Sequence, residues 1–483
     1  MGSQAVQHMG LTGRDDQTSR LATLYDRQKS ASRNAPPPGL AERQKRLDAL
    51  IGAIEKYEPA LADAVNADFG ARADVETLFS DIALSINAAR HAKARLRRWM
   101  RPRRVATPLH LAPAGARLEP QPLGVVGIIA PWNYPVSLAL SPLAGALAAG
   151  NRVILKPSEV SAKTSAVLAD MLADAFDETL VAVVLGDADI GAAFAATPFD
   201  HLLFTGSTPV GRRIALAAAE NLTPVTLELG GKSPAIIHDS ADLARASRSI
   251  VQGKLFNGGQ SCIAPDYVLA PKDRLPAVID ALSATARTLF PSIDNTPDYT
   301  AMISKRHFTR LQTLIDEAKA AGALIVEIGD PEILTAHGKL PFTLIIDPPA
   351  GLQLLEEEIF GPVLPVIGVA STDDAVAHVN AGDRPLALYW FGEDTAIGDD
   401  VLTRTVSGTA CINETMIQFA HPNLPFGGVG ASGMGAYHGD ASFETFSHMK
   451  PVFRQSRLAR PDLLHPPYTE RTRTLIRLLR RFG

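Results

Sequence analysis

Cysteine is scarce in this chain: only Cys262 and Cys411 occur in 483 residues. Two thiols cannot build a disulfide framework, and neither stands at metal-ligand spacing from the other or from a histidine cluster. The expectation is therefore a cytoplasmic protein without a metal centre. Positive charge is not in excess either. A formal net charge of -4 provides no field that would draw in nucleic acid or an anionic membrane, so a small molecule is the expected partner. The start of the chain has no apolar run of signal-peptide length. Residues 121–151 lack any charged side chain and could pass for a membrane span, but Pro131, Pro135 and Pro142 interrupt a continuous helix there. The segment reads as a buried strand (VVGII), a turn (PWNYP) and a small-residue helix. Internal repeats and low-complexity tracts are also missing.

The chain is 46% hydrophobic and 20% charged, which at this length suits a globular protein of two or three domains. APPPG at 35–39 is a breaker, and apolar residues recur at helical spacing over 40–61; helices dominate to about residue 100. The basic run 93–104 reads as a solvated helix end closed by Pro102. From Val125 on, short β-rich runs alternate with small-residue helices, the rhythm of parallel βαβ units, and 268–406 repeats it as a second α/β domain. The tail 469–483 reads as a short basic amphipathic helix, expected to pack on a neighbouring domain or subunit rather than on a membrane.

Several motifs carry chemistry. Cys262 ends a glycine-rich turn (252–266, QGKLFNGGQSCIAPD), where little side-chain bulk screens its sulfur; the alternative is a small buried hydrophobe. At 204–211, FTGSTPVG follows an apolar strand and opens a helix, which suits a pyrophosphate through Gly206, Ser207 and Gly211. It is not GxGxxG, and LGGKS at 229–233 fails as a P-loop because Thr226 stands where the first glycine belongs. Lys156 and Glu159, in KPSE, sit past the strand RVIL and could grip ribose hydroxyls or form an ordinary charge pair. Asn133 in PWNYP could donate to an oxyanion or merely shape a turn. Glu228, inside the apolar run VTLELGG, would gain a raised pKa if buried, and would not if it lay on an edge strand. Glu358 in EEEIFGP is singled out from its acidic neighbours by the adjoining apolar turn.

PWNYP, KPSE, FTGSTPVG, LELGGKSP, GQSC, EEIFGP and LPFGGVGASGMG occur in this order over 123–435. In that order they resemble the NAD(P)-dependent aldehyde dehydrogenase family. APDY, AYHG, TFSHMKPV and PPYTERTR are similar to its class 3-like branch, most closely the bacterial coniferyl aldehyde dehydrogenases. The resemblance implies two doubly wound parallel-sheet domains and a small oligomerisation element. Its boundaries would be 1–101 with 123–228 for NAD binding, 229–426 for catalysis, 102–122 with 443–453 for a homodimer contact, and 454–483 as a tail. It further implies Cys262 as nucleophile, Glu228 as general base, and Asn133 with the Cys262 amide as oxyanion hole. Lys156 and Glu159 would bind the adenosine ribose, and Gly206, Ser207 and Gly211 the pyrophosphate. Glu358 and Phe360 would hold the nicotinamide ribose and ring, with Trp132 near a phosphate. Because Glu159 would repel a 2′-phosphate, NAD is the expected cofactor, with NADP accepted second. The implied reaction oxidises a hydrophobic or aromatic aldehyde to its acid. Alternatives are an aliphatic aldehyde substrate, transfer of the acyl group to coenzyme A, or a scaffold without catalysis. Gly259, Ser261 and Trp390 differ from residues common in the branch and could reshape the substrate tunnel.

Overall fold

The computed structural model describes residues 2–108, 111–458 and 465–482, with side chains from Asp16 onward. Strands β1 (Arg103–Val105) and β2 (Gly115–Pro122) form an arm, which the later strand β16 (Ser447–Arg454) completes by pairing antiparallel along the whole length of β2. Strands β3 (Val125–Ile129), β4 (Arg152–Lys156), β5 (Val181–Val183), β6 (His201–Thr205) and β7 (Val225–Glu228) build a parallel sheet in the order β7-β6-β3-β4-β5. A second sheet takes β8 (Pro234–Ile237), β9 (Tyr267–Pro271), β10 (Leu324–Ile328), β11 (Phe342–Ile346), β12 (Val363–Val369), β13 (Ala387–Phe391) and β14 (Thr409–Ile412). Its order is β10-β11-β12-β9-β8-β13-β14. Each sheet departs from purely parallel pairing at one edge: β10 runs antiparallel to β11, and the short β15 (Gly433–Met434) returns antiparallel to β7.

Both sheets are covered on both faces, as parallel sheets require. On β3, Val125 and Ile129 enter one core while Val126 and Ile128 enter the other, the period-two alternation of a pleated strand. The helix Ser137–Ala149 after β3 is buried at every residue and continues through Pro142. The break expected at that proline occurs earlier, in the turn after β3, so only Pro131 and Pro135 separate strand from helix. The basic run ends as expected: the helix Leu84–Trp99 stops before Pro102, with Arg97 and Arg98 exposed. The C-terminal helix Glu470–Phe482 buries Thr472 but leaves Ile476 and Leu478 45% and 50% exposed, so its apolar face is not fully covered within this chain, and of the two expected contacts only one with a neighbouring subunit would cover it.

One polar cluster lies inside this apolar frame. The carboxylate of Asp81 meets the guanidinium of Arg72 at 3.0 Å with both side chains fully buried. Its other oxygen accepts from the amides of Val136 and Ser137, each at 3.0 Å, and so caps the buried helix. Asp81→Ala removes that cap and strands the Arg72 charge, at a cost of about 3–5 kcal/mol. Urea titration should rank Asp81→Ala well below wild type with Asp81→Asn between them; an alanine variant as stable as wild type would refute the role.

Candidate active site

In the first sheet, chain order reverses on either side of β3: β4 and β5 follow on one side, β6 and β7 on the other. The carboxyl ends of strands flanking such a reversal open a crevice suited to a ligand. Trp132 and Asn133 follow β3, Lys156 ends β4, Gly206 and Ser207 follow β6, and Glu228 ends β7. The helix Thr208–Ala219 begins here, and its first turn has no side-chain cap, so its amides face the crevice free to meet an anion. Lys156 is buried and pairs with the half-exposed Glu159 at 3.2 Å, the charge-pair alternative for KPSE; both stand past the end of β4, beside the cleft rather than in its lining.

The resulting cleft has a volume of about 810 Å³ and is bordered by Trp132, Gly206, Ser207, Glu228, Glu358 and Phe360, among others. Gly211 stands back from it, buried in the helix, where an added methyl group would fall 2.5 Å from Leu229. The Phe360 ring meets Trp132 edge-on at 5.4 Å, and its backbone takes φ 55°, a left-handed conformation uncommon outside glycine. Glu358 folds its carboxyl over Gly230, where even a methyl group would lie 1.8 Å from the oxygen. Burial, then the Asp266 charge, lifts Glu358 to about 8. His307 and Arg310, from the helix Lys305–Ala320, also border the cleft and carried no sequence signal of their own.

Glu228 is 2% exposed, and neither carboxylate oxygen has a hydrogen-bond partner among the described residues. The short β15 covers the edge that would otherwise have exposed it to water, and burial pushes its pKa well above the ordinary carboxylate range. A buried acceptor with free lone pairs is suited to hold a water and take its proton.

Cys262 reaches the cleft from the second sheet's side, on the segment between the helix Leu243–Leu255 and β9. The turn before it is tightly specified. Asn257, Gly258 and Gly259 all take positive φ, and a methyl group on Gly259 would fall 2.4 Å from the Gly361 carbonyl. Gln260 stitches this turn to the chain beyond: it donates to Asn257 and Ala301 carbonyls at 2.9 and 3.1 Å and accepts from the Ile303 amide at 3.0 Å. Asn133 is buried beside it and donates one amide hydrogen to the Gln260 carbonyl at 3.2 Å, which leaves its second hydrogen for another acceptor. Burial, then the charges of Glu358 and Glu228, push the Cys262 thiol up; the amides of Cys262 and Ile263 pull the other way.

Behind Cys262 opens a second cavity of about 190 Å³, walled by Phe79, Tyr134, Phe256, Met416 and Phe419. Sequence reading missed these residues, which come from four separate stretches of chain; Phe79 lies on the π-helical stretch Leu78–Ala83. Among the described residues, Cys262 alone borders both cavities. Ser261 lines the apolar one, whereas Trp390 lies in the core of the second sheet and lines neither. The polar cleft fits an elongated ligand with an anionic centre, and the apolar tunnel fits an uncharged one. No group of residues able to hold a metal ion occurs among the described residues.

Comparison with known proteins agrees with this arrangement. The model of the aldehyde dehydrogenase family matches residues 19–452. A coniferyl aldehyde dehydrogenase from a Pseudomonas species is 46% identical over 98% of both chains. Among solved structures, a substrate-bound Staphylococcus aureus AldH superposes with a TM-score of 0.90 at 35% identity, covering 95% of this chain and 99% of that one. An NAD+ complex of a Bacillus cereus aldehyde dehydrogenase gives 0.81 at 27% identity, covering 91% and 89%.

Glu228→Gln tests the buried acid without reference to turnover. The folded carboxyl holds its proton to higher pH than the unfolded one, so stability should fall as pH rises from the ordinary carboxylate range towards the raised value. Glutamine is neutral throughout. Thermal midpoints of the two proteins should diverge with increasing pH in favour of the variant; parallel curves would show that Glu228 is not held protonated.

Proposed function

The chain belongs to the aldehyde dehydrogenase family, and from that premise we propose that it oxidises an aromatic, coniferyl-type aldehyde to the carboxylic acid with NAD. The single observation that carries this reading is the position of Cys262 between an apolar tunnel and a polar cleft that contains the unpaired Glu228. The Cys262 thiolate adds to the aldehyde carbon, giving a thiohemiacetal whose oxyanion is met by the free amide hydrogen of Asn133 and the Cys262 N–H. NAD, held in the cleft by the residues assigned below, would supply the hydride acceptor that turns this thiohemiacetal into a thioester. The remaining thioester is hydrolysed by a water whose proton passes to Glu228; the acid leaves and the Cys262 thiolate is restored. Hydrolysis by a protein base, rather than transfer to coenzyme A, is the outcome that an unpaired carboxylate beside the sulfur favours.

For the cofactor, Lys156 and Glu159 are assigned to the adenosine ribose, and Gly206 and Ser207, with Gly211 supporting the helix start, to the pyrophosphate. Glu358 and Phe360 are assigned to the nicotinamide end, with Trp132 packed against Phe360. Glu159, half exposed at the crevice, favours NAD over NADP by repelling a 2′-phosphate. The first sheet would then serve the cofactor, the second the nucleophile, and the arm a contact with a second copy of the chain.

Release of NADH from coniferyl aldehyde, benzaldehyde and an alkanal, with NAD and with NADP, tests the assignment; no release with any aldehyde would overturn it. Glu228→Gln should keep a first-turnover release of NADH but slow steady turnover by about 10²–10⁴-fold. Unchanged steady turnover would remove Glu228 from the base role. Asn133→Ala should lower the rate by about 10²–10³-fold without altering the thermal midpoint appreciably.

A further inference from the structure

The tunnel has a closed end and an open one. Leu138, Ser261 and Ile263 are buried at the end beside Cys262, whereas Phe79, Gln252, Glu414 and Ile417 are exposed at the other. Its volume of about 190 Å³ exceeds the 150 Å³ or so that holds a benzene ring in an apolar cavity, so it accommodates one aryl ring on a short chain. The walls between the ends are mainly apolar, and two of the hydroxyls on them are already spent: Ser80 donates to the Glu76 carbonyl at 2.6 Å and Thr415 to the Ser249 carbonyl at 2.8 Å. At the open end stands a carboxylate, Glu414. One of its oxygens is held by the Ser249 hydroxyl and by the Thr415 amide at 3.0 Å, which fixes the side chain at the mouth rather than letting it wave in solvent.

We propose that Glu414 is a specificity determinant which accepts a hydrogen bond from a hydroxyl on the aryl ring of the substrate, at the end remote from the aldehyde. An ionised carboxylate accepts and never donates, so it rewards a phenolic O–H and gives nothing to the corresponding methyl ether. Gln252, the other long polar side chain at the mouth, carries both donor and acceptor and would not discriminate between them. The proposed class of substrate is therefore a para-hydroxylated arylpropenal, one oxidation level below the acid the enzyme releases. A reaction that oxidises the primary alcohol of a para-hydroxylated arylpropenol to the aldehyde would supply it. This inference rests on the aldehyde dehydrogenase reading of the same site.

The test compares kcat/KM for 4-hydroxycinnamaldehyde and 4-methoxycinnamaldehyde, each with NAD, in wild type and variants. Wild type should favour the hydroxylated aldehyde by about tenfold or more. Glu414→Ala should bring the ratio close to one. Glu414→Gln, whose amide can donate to the ether as readily as it accepts from the phenol, should likewise leave the ratio close to one. Ser249→Ala, which frees the carboxylate without entering the tunnel, should lower the ratio to an intermediate value. Ratios that are the same in wild type and Glu414→Ala would overturn the assignment while leaving the oxidation of both aldehydes intact. A wild-type protein that oxidises neither aldehyde, nor any other, would overturn the reading of the site together with it.

Discussion

The geometry around Cys262 depends on the buried ionic contact between Arg72 and Asp81. Asp81 anchors the helix that follows the Asn133 turn, and Arg72 reaches the Asn133 carbonyl itself at 3.3 Å. Two steps away, Glu76 accepts from the Asn257 amide at 3.1 Å and from Thr300 at 2.9 Å, so the same short stretch of chain also fixes the turn that presents the cysteine. The Arg72 guanidinium lies between the rings of Phe69 and Tyr134, 5.1 and 5.2 Å from their centres. Cation and ring quadrupole attract, which offsets part of the cost of taking the charge out of water. Asn133 and Cys262, the proposed oxyanion donor and nucleophile, follow strands and helices of different sheets, and this cluster ties the two segments together.

That dependence also explains how much of the site could be read in advance. Residues whose task is imposed by the local backbone left a clear trace. Gly259 sits in a turn where its backbone takes φ 76°, which favours glycine, and Glu228 is conspicuous as a carboxylate at the end of an apolar strand. The alternation of Val125, Val126, Ile128 and Ile129 between two cores likewise follows from composition alone.

Residues whose task is imposed by distant chain left none. Asp81 meets amides 55 residues away, and Glu76 an amide 181 residues away. Phe79, Met416 and Phe419 wall one tunnel although nothing in their own segments marks them as lining anything but solvent. Periodicity reports which face of an element is buried, not which remote segment buries it. The tail follows the same rule: its apolar stripe calls for a partner without naming it, and within this chain Ile476 and Leu478 have no full cover.

Because Cys262 alone stands between the two cavities, the enzyme is a partition with a reactive pane rather than a single chamber. On the proposed reading, aldehyde and cofactor would enter by separate doors and meet at the carbon carried by the sulfur. Reduced cofactor would then leave by its own side while the acyl group stayed tethered on the other, so that neither would have to wait for the other to clear the way.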